Sequence, residues 1–232
     1  GTFGEVGVFS TMHGKHHSSG GQGGLVYTAS EPLYQAVRRA SDRGKPFFLP
    51  AGSTNVTASL NLNLNDLAAA IGKVQLQKLP DIVAKRRAVA AGIAGGLANL
   101  ATVSKPEPID GAEPSYWFLR LRFHAGAATC DKETYCQALI AEGLPVAVDY
   151  CGALPHTMTW FQERHVFGDS GYPWASPDYD GDPERTFPCP NANAVMEDHF
   201  NLHFNESWGA DEIADAVAIF TAVDGAYARS DS

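Results

Sequence analysis

One short segment of the sequence is rich in residue types that can bind an anion and react with a carbonyl group. The segment from Phe9 to Gly24, FSTMHGKHHSSGGQGG, places Lys15 among serines and ahead of a glycine cluster. Small residues let backbone N–H groups approach an anion, and hydroxyls add donors, which favours a phosphate cradle. A partly desolvated lysine there can lose its proton and attack a carbonyl to form a Schiff base. Composition alone favours a Gly/Ser hairpin with a solvated lysine, and both interpretations stay open.

Three histidines in the same segment raise the question of a metal site. His13, His16 and His17 surround Lys15. Neighbouring histidines on a short segment point in different directions, and a third ligand at useful spacing is absent from this sequence. We therefore expect no bound metal, and we expect His16 and His17 to face substrate or the residues around it.

A second group of candidate residues lies in a long segment rich in proline, glycine and aromatics, from Gly152 to Asn193. Loops of this length are usually functional or disordered. Aromatic rings with scattered donors suit a sugar or nucleotide site, with His156 and Arg164 as substrate-binding candidates. The alternative is a loop that only packs its own aromatics. Tyr150 lies just before this loop. The aromatic and donor residues within it are His156, Trp160, Gln162, Arg164, Tyr172 and Trp174.

The elements that must position the lysine segment are two strands and two helices. Short β-type runs at Val6–Phe9 and Leu25–Thr28 flank it and predict a hairpin. A helix is predicted after Pro32, with Gly44 as its stop. A second helix is predicted from Asn65-Asp66, and Pro80 is expected to kink or divide it.

The second half of the sequence predicts a small α+β domain. Proline, glycine and acidic residues from Thr102 to Pro114 indicate a boundary before it. A strand-helix-strand order, followed by a strand and a closing helix, is typical of such a domain. The predicted strands are Tyr116–Phe123, Val146–Asp149 and His199–Phe204, and the predicted helices are Lys132–Glu142 and Ala210–Tyr227.

Composition excludes several classes of function. The 232 residues are 44% hydrophobic and 19% charged, which is typical of a globular protein. A net charge of -9 argues against nucleic-acid binding, which needs clustered Lys and Arg. No apolar run approaches the length of a membrane span. The four cysteines lack zinc spacing and suggest a reducing compartment, so a cytoplasmic location is expected.

Three blocks of the sequence resemble, in order, the DegT/DnrJ/EryC1/StrS family of sugar aminotransferases. In the first, GTFGEVGVFSTMHGKHHSSGGQGGLVYT, a lysine follows a serine by five residues and precedes a glycine turn and an apolar strand. The second is NLNLNDLAAAIGKVQLQKL, followed by Arg86-Arg87. The third, FPCPNANAVMEDHFNLHFNESWGADEIADAVAIF, is similar to the closing strand and helix of the family.

The resemblance implies a pyridoxal 5'-phosphate enzyme in which Lys15 holds the cofactor as an internal aldimine and later shuttles a proton. Ser10 matches the family serine that binds the cofactor phosphate. Asn61 matches the asparagine that reaches the phosphate in the partner subunit's site, so a homodimer is part of the implied mechanism. The amino group would pass from glutamate or glutamine to a keto sugar, usually one that is nucleotide-linked.

The sequence departs from the family pattern around the lysine. One extra residue separates Lys15 from Gly23-Gly24. Counting from Ser10 selects Lys15 as the cofactor residue, whereas counting back from Gly23 selects His16. Sugar dehydratases of the family carry histidine at that position. We favour Lys15, because a serine fixed on phosphate sets the distance to the Schiff base, while a glycine turn can absorb an insertion. Two substitutions are further departures from the family pattern. Gln22 replaces the usual Glu, and Asn63 replaces the usual Arg.

The resulting prediction is an α/β chain with the pyridoxal-phosphate transferase fold type I, like aspartate aminotransferase. Residues 1–100 would be the rest of the large cofactor-binding domain, with the lysine segment and the long helix. Residues 101–232 would be the small C-terminal α+β domain. We expect a missing upstream portion, which in the family carries the aspartate at the pyridine nitrogen and the ring-stacking aromatic. The alternatives are a sugar dehydratase of the same fold and cofactor, or a non-catalytic fragment or partner subunit.

Overall fold

The computed structural model describes residues 1–149 and 154–230. The chain divides into two compact units, Gly1–Lys85 and Arg86–Ser232. Tyr150, Cys151 and the expected start of the long loop at Gly152 lie outside the described residues. The division into domains at residue 100 stays a prediction.

The first unit begins with an antiparallel hairpin. Strand β1, Gly7–Ser10, pairs with β2, Gly24–Tyr27, and Ser10 lies opposite Gly24. Both predicted strands are confirmed to within one residue. The pairing brings the two ends of the lysine segment together, because that segment is the connection between these strands.

Two helices follow in the order expected. Helix α1, Glu31–Ser41, begins where the hydroxyl of Ser30 accepts a hydrogen bond from the backbone N–H of Leu33, a usual N-cap. Helix α2, Asp66–Gly96, begins where the side chain of Asn65 accepts from the N–H of Ala68 at 2.8 Å.

The sequence predicted a kink or a division at Pro80, and the division is wrong, because helix α2 continues through this residue. A proline inside a helix removes one backbone donor and crowds the preceding turn. Helix α2 is 31 residues long, and the turns on both sides of Pro80 keep their own backbone bonds. The loss of one donor is therefore insufficient to end the helix.

The second unit is built on a four-stranded antiparallel sheet with the strand order β3-β4-β6-β5. In β4 the buried Leu119, Leu121 and Phe123 alternate with Arg120 and Arg122, as expected for a strand with one covered face. The predicted strands are confirmed, but β3 lies in the segment that was predicted to be a boundary. The strands are β3 Val103–Ser104, β4 Leu119–Phe123, β5 Val146–Ala147 and β6 His199–Leu202.

Besides the end of α2, the described residues of this unit form helices α3 to α6. Helices α3, Lys132–Ala141, and α6, Ala210–Tyr227, confirm the prediction, and they contact each other. Asp131 is the N-cap of α3. Hydrogen bonds from Thr134 to its carboxylate lower the pKa of Asp131. The expected loop contains α4, Thr159–Gln162, and the start of α5, Pro190–Asp198.

The hydrophobic core of the second unit joins the sheet to α3, α6 and the last turns of α2. The last turns of α2 and helix α6 approach each other closely, because a Cβ on Gly96 would lie 2.3 Å from a methyl carbon of Val217. Glycine is therefore required at that contact. The largest fully buried side chains include Ile93, Leu97, Val103, Leu119, Leu121, Tyr135, Leu139, Phe200, Leu202 and Phe220.

Arg86 is a buried polar anchor of the second unit. Its guanidinium donates to the backbone carbonyls of Tyr116 at 2.8 Å, Trp117 at 2.7 Å and Phe204 at 2.7 Å. It also pairs with Glu206 at 3.0 Å. One side chain thus donates hydrogen bonds to acceptors in two separate loops. Buried carbonyl oxygens need such donors.

Replacing Arg86 by Met should lower the free energy of unfolding by about 3 kcal/mol, because the buried acceptors lose their donor. The neighbouring Arg87 is the matched control. Its side chain is 40% exposed and pairs with Glu113, so Arg87→Met should cost under about 1 kcal/mol. Urea denaturation of both variants measures the difference, and equal losses would contradict the role assigned to Arg86.

Candidate functional site

The connection between β1 and β2 is closed by backbone hydrogen bonds beyond the ends of the strands. The N–H of Thr11 donates to the carbonyl of Gly23 at 2.9 Å, and that of His13 donates to Gly21 at 2.7 Å. On the same side of the loop, the N–H of Ser19 donates to the carbonyl of Thr11 at 2.9 Å. The lysine segment is therefore a folded loop with defined internal contacts.

Two buried hydroxyls hold the base of this loop. The hydroxyl oxygens of Thr11 and Ser19 lie 3.0 Å apart, and the Ser19 hydroxyl also donates to the carbonyl of Thr11 at 2.9 Å. A Cβ on Gly23 would lie 2.6 Å from the Thr11 oxygen and 2.7 Å from the Ser19 oxygen. At this position glycine is therefore required by internal packing. Sequence reasoning missed Thr11, and it included Ser19 only as one of several serines beside Lys15 that could donate to an anion.

Ser10 and Lys15 lie on either side of one turn at the end of β1. The backbone N–H of Met12 donates to the Ser10 hydroxyl oxygen at 3.3 Å, and the N–H of Lys15 donates to the Met12 carbonyl at 2.9 Å. Ser10 is exposed and Lys15 is half-buried. Because the Ser10 oxygen acts as acceptor, its own proton can be donated to a bound anion.

The two histidines that follow Lys15 are both half-buried. His17 places its Nε2 atom 2.9 Å from the carbonyl of Gly72 in helix α2. A carbonyl oxygen only accepts, so the Nε2 atom carries the proton and donates. This bond ties the loop to α2 within the first unit. The substrate-facing roles of His16 and His17 stay predictions.

Asn61 lies in the same unit as the lysine loop, on an exposed extended segment. It forms an isolated antiparallel bridge with Asp42, supported by bonds from the N–H of Arg43 to Leu60 at 3.0 Å and from Leu62 to Ser41 at 2.8 Å. Its side-chain oxygen accepts from the side-chain amide of Asn63 at 2.9 Å. The amide nitrogen of Asn61 is the group with which it can donate to an anion.

Asp42 fixes this bridge and was missed by the sequence analysis. Its buried carboxylate pairs with Arg43 at 2.7 Å and Lys45 at 3.0 Å. Burial alone would raise the pKa of Asp42, but side-chain hydrogen bonds from Arg43, Lys45 and Asn63 outweigh it and lower the pKa to about 2. The carboxylate is thus held ionised beside the segment that carries Asn61. The sequence around an aspartate in such a turn does not indicate that its side chain is buried.

The other two candidate residues, His156 and Arg164, belong to the second unit, on either side of helix α4. Both are half-buried. Within the described residues, the Nε2 atom of His156 and the Nε atom of Arg164 are buried without a hydrogen-bond partner. The structure therefore groups the candidates into two sets, one in each unit. Their substrate-binding roles stay predictions.

Metal and thiol chemistry receive no support from the described residues. Across residues 1–149 and 154–230, His, Cys, Asp and Glu side chains form no group of three that could hold a metal ion. Cys130, Cys136 and Cys189 are free thiols, and burial raises the pKa of Cys136 to about 12. A thiol with so high a pKa stays protonated and is a poor nucleophile.

Comparison with known proteins identifies the family. The model of the DegT/DnrJ/EryC1/StrS aminotransferase family matches residues 1–221, and the chain belongs to this family. The resemblance found in the sequence is thereby confirmed.

A curated relative and several solved structures agree with this assignment. The lipopolysaccharide biosynthesis protein RfbH of Salmonella typhimurium strain LT2 is 27% identical over 142 residues, which are 51% of this chain and 32% of that protein. The aminotransferase TlmJ from Streptoalloteichus hindustanus is 23% identical, with a TM-score of 0.72 over 97% of this chain and 54% of TlmJ. Helicobacter pylori PseC, an aminotransferase of pseudoaminic acid biosynthesis, is 19% identical, with a TM-score of 0.76 over 97% of this chain and 55% of PseC.

These structures confirm the predicted fold class. The mixed α/β arrangement is that of the pyridoxal-phosphate transferases of fold type I. The chain spans about half the length of the solved structures that it matches, and a third of the curated relative.

The lowered pKa of Asp42 predicts how stability depends on pH. The carboxylate has a pKa of about 2 when folded against an ordinary value of 3.8, so its stabilising effect is complete above about pH 4. It is lost as the pH falls from about 4 to about 2. Asp42→Asn should be less stable than the wild type above pH 4, and its stability should fall less steeply below pH 4.

Urea denaturation between pH 2 and pH 6 tests this expectation. Asp81→Asn is the control, because Asp81 is 69% exposed in its pair with Lys85, and this variant should follow the wild-type slope. Parallel curves for the wild type and Asp42→Asn would show that the Asp42 cluster does not stabilise the first unit.

Proposed function

We propose that this chain forms part of a pyridoxal-phosphate-dependent aminotransferase that transfers an amino group from glutamate or glutamine to a keto sugar. One observation carries the proposal: Ser10 and Lys15 flank the same turn, so an exposed serine and a half-buried lysine share one hydrogen-bonded loop. Membership of the aminotransferase family supports the reaction class. Because the chain spans about half of its structural relatives, the activity is that of the whole protein.

The residues present fit the cofactor. A phosphate ester needs hydrogen-bond donors, and Ser10 has a proton to donate at an exposed position. An aldehyde needs an amine with reduced solvation, and Lys15 is half-buried. When bound, the cofactor supplies the electron sink for cleavage of the C–H bond of the amino donor.

The protein's own groups then have separate tasks. Lys15 would hold the cofactor covalently through Nζ, and the same atom, once free, would accept and return the proton of the substrate. Ser10 would donate a hydrogen bond to the phosphate. The Thr11–Ser19 hydroxyl pair holds the two sides of the loop that carries both residues.

The substrate and the assembly are inferred from the same family resemblance. A nucleotide-linked keto sugar is the proposed acceptor, and a homodimer in which Asn61 donates to the phosphate in the neighbouring site is the proposed assembly. A cytoplasmic location is proposed with them. Among the described residues, no helix combines the length and the apolar character that a membrane crossing requires.

A sugar dehydratase of the same fold is the second candidate, because the cofactor position can be counted from either end of the loop. The bond from the Thr11 N–H to Gly23 holds both ends of the loop together. Counted back from Gly23, the cofactor position is occupied by His16, which cannot form a Schiff base. Counted from Ser10, it is occupied by Lys15. The two registers predict different covalent chemistry.

Borohydride reduction in the presence of pyridoxal phosphate distinguishes these two candidates. The purified protein should become yellow, and reduction should attach the cofactor to Lys15 in a peptide map, because only a primary amine condenses with the aldehyde. Lys15→Ala should abolish the label without loss of the fold, as judged by circular dichroism. Lys78→Ala, at an exposed position on α2, is the control and should keep the label.

A label on another lysine would refute the assignment of Lys15. Reversible binding without any label, weakened by His16→Ala, would favour the dehydratase instead. Absence of both binding and label in the whole protein would refute both candidates.

A mixing experiment tests the role of Asn61 across the dimer. Lys15→Ala and Asn61→Ala should each be nearly inactive, since each removes one component from every site. In a mixed dimer both lesions fall in one site, so the other site is intact. Equal mixing after dissociation should therefore restore about a quarter of wild-type activity, by random pairing. Activity that stays at the level of the parent variants would place Asn61 and Lys15 in the same subunit's site.

A further inference from the structure

The side-chain amide of Asn61 has a defined orientation. Its oxygen accepts two hydrogen bonds from one residue, from the side-chain amide of Asn63 at 2.9 Å and from the backbone N–H of Asn63 at 3.3 Å. A backbone N–H can only donate, so the atom that faces it must be the oxygen. The Nδ2 atom of Asn61 therefore lies on the opposite side of the amide, with its two N–H donors directed away from Asn63.

Asn63 donates to a second acceptor as well. The carboxylate of Asp42 accepts a side-chain hydrogen bond from Asn63, in addition to the bond that Asn63 makes with Asn61. A side-chain amide carries two hydrogens, so each acceptor can take one of them. Asn63 is exposed, and an exposed amide without such partners would sample several rotamers. The two bonds together therefore favour one arrangement of Asn63 and Asn61.

Asp42 holds the far end of this network at the end of helix α1. Its backbone N–H donates to the carbonyl of Arg39 at 3.3 Å, and its side chain is only 5% exposed. The carboxylate pairs with Arg43 at 2.7 Å and with Lys45 at 3.0 Å. The amide network of Asp42, Asn63 and Asn61 thus starts from a buried anion that is fixed by its own cationic partners.

Stabilisation of the first unit explains only part of this network. The backbone bridge between Asp42 and Asn61 joins the two segments without any side chain, and Asp42 has two cationic partners besides Asn63. What Asn63 adds is the orientation of one exposed amide. Asn63 occupies the position where the family pattern has arginine, so this amide is a departure of the chain from that pattern.

We propose that Asn63 is a positioning residue for the cofactor site: it holds the side-chain oxygen of Asn61, so that the Nδ2 atom of Asn61 faces the cofactor phosphate. This inference rests on the proposed function, in which Asn61 donates to that phosphate across the dimer. A donor that is oriented before the ligand arrives loses less conformational freedom on binding, so the affinity for the phosphate is higher. Asn63 acts through Asn61 and makes no contact with the phosphate itself.

Titrations of the whole protein with pyridoxal 5'-phosphate and with pyridoxal, which lacks the phosphate, measure this effect. The ratio of the two dissociation constants is the phosphate selectivity. Asn63→Ala should lower this selectivity about tenfold, as expected for the loss of one hydrogen bond to a charged group, while the affinity for pyridoxal stays the same. Asn63→Asp should lower it at least as much, because its carboxylate would accept from the Nδ2 atom of Asn61 and turn that atom away from the phosphate.

A double variant shows whether Asn63 acts through Asn61. Asn61→Ala should lose at least as much selectivity as Asn63→Ala. The variant with both changes should bind like Asn61→Ala, because the second change removes the support of a side chain that is already gone. Asn55→Ala is the matched control, since this exposed asparagine donates to the carbonyl of Arg43 at 2.7 Å and not to the network, and it should keep the wild-type selectivity. Circular dichroism checks that each variant is folded.

The result separates failure of this inference from failure of the proposed function. Equal affinity of the wild type for both aldehydes would refute the proposed phosphate site and the role of Asn61 with it. If the wild type is selective, that site stands, and three results would overturn the positioning role of Asn63 alone. These are unchanged selectivity in both Asn63 variants, equal weakening of both aldehydes in the folded variants, and losses that add together in the double variant.

Discussion

The closure of the β1–β2 connection is the constraint on which the candidate site depends. The N–H of Thr11 reaches Gly23, and the hydroxyls of Thr11 and Ser19 occupy the space that a Cβ on Gly23 would need. A larger residue there would separate the two sides of the loop. Ser10 and Lys15 lie on either side of the turn at one end of this closure. The Lys15 N–H donates to the Met12 carbonyl in this turn, and the Met12 N–H donates to the Ser10 hydroxyl oxygen.

Most of the fold was accessible from local sequence patterns. Alternation in Leu119–Phe123 and the helical period of Ala210–Tyr227 depend on burial of one face, and the structure shows those faces buried. Strand β3 and helices α4 and α5 were not predicted. Strand β3 is only two residues long, too short for any alternation to appear. Helix α2 continues through Pro80, because the length of a helix can outweigh the loss of one donor.

The candidate site was less accessible, since its supporting contacts join residues that are distant in sequence. The pair of Asp42 and Asn61 and the bond from His17 to Gly72 each connect different elements of the first unit. No local pattern indicates which aspartate becomes buried between Arg43 and Lys45. The family resemblance supplied Ser10, Lys15 and Asn61, and the structure supplied the residues that hold them in place.

Two arginines of the second unit differ in their hydrogen bonding. Arg86 donates to three carbonyls and a carboxylate that the fold itself provides, so its charge is satisfied before any ligand binds. Arg164 lies over an aromatic ring with a buried Nε that has no acceptor among the described residues. The fold pairs one guanidinium fully but leaves the other with an unpaired donor in a cavity. This unpaired donor costs free energy of folding, and packing does not compensate for it. An arginine whose donors all find acceptors within the protein stabilises the fold, whereas an arginine with an unpaired buried donor is a candidate for ligand binding. The number of available acceptors, more than the burial of the arginine itself, therefore distinguishes the two roles.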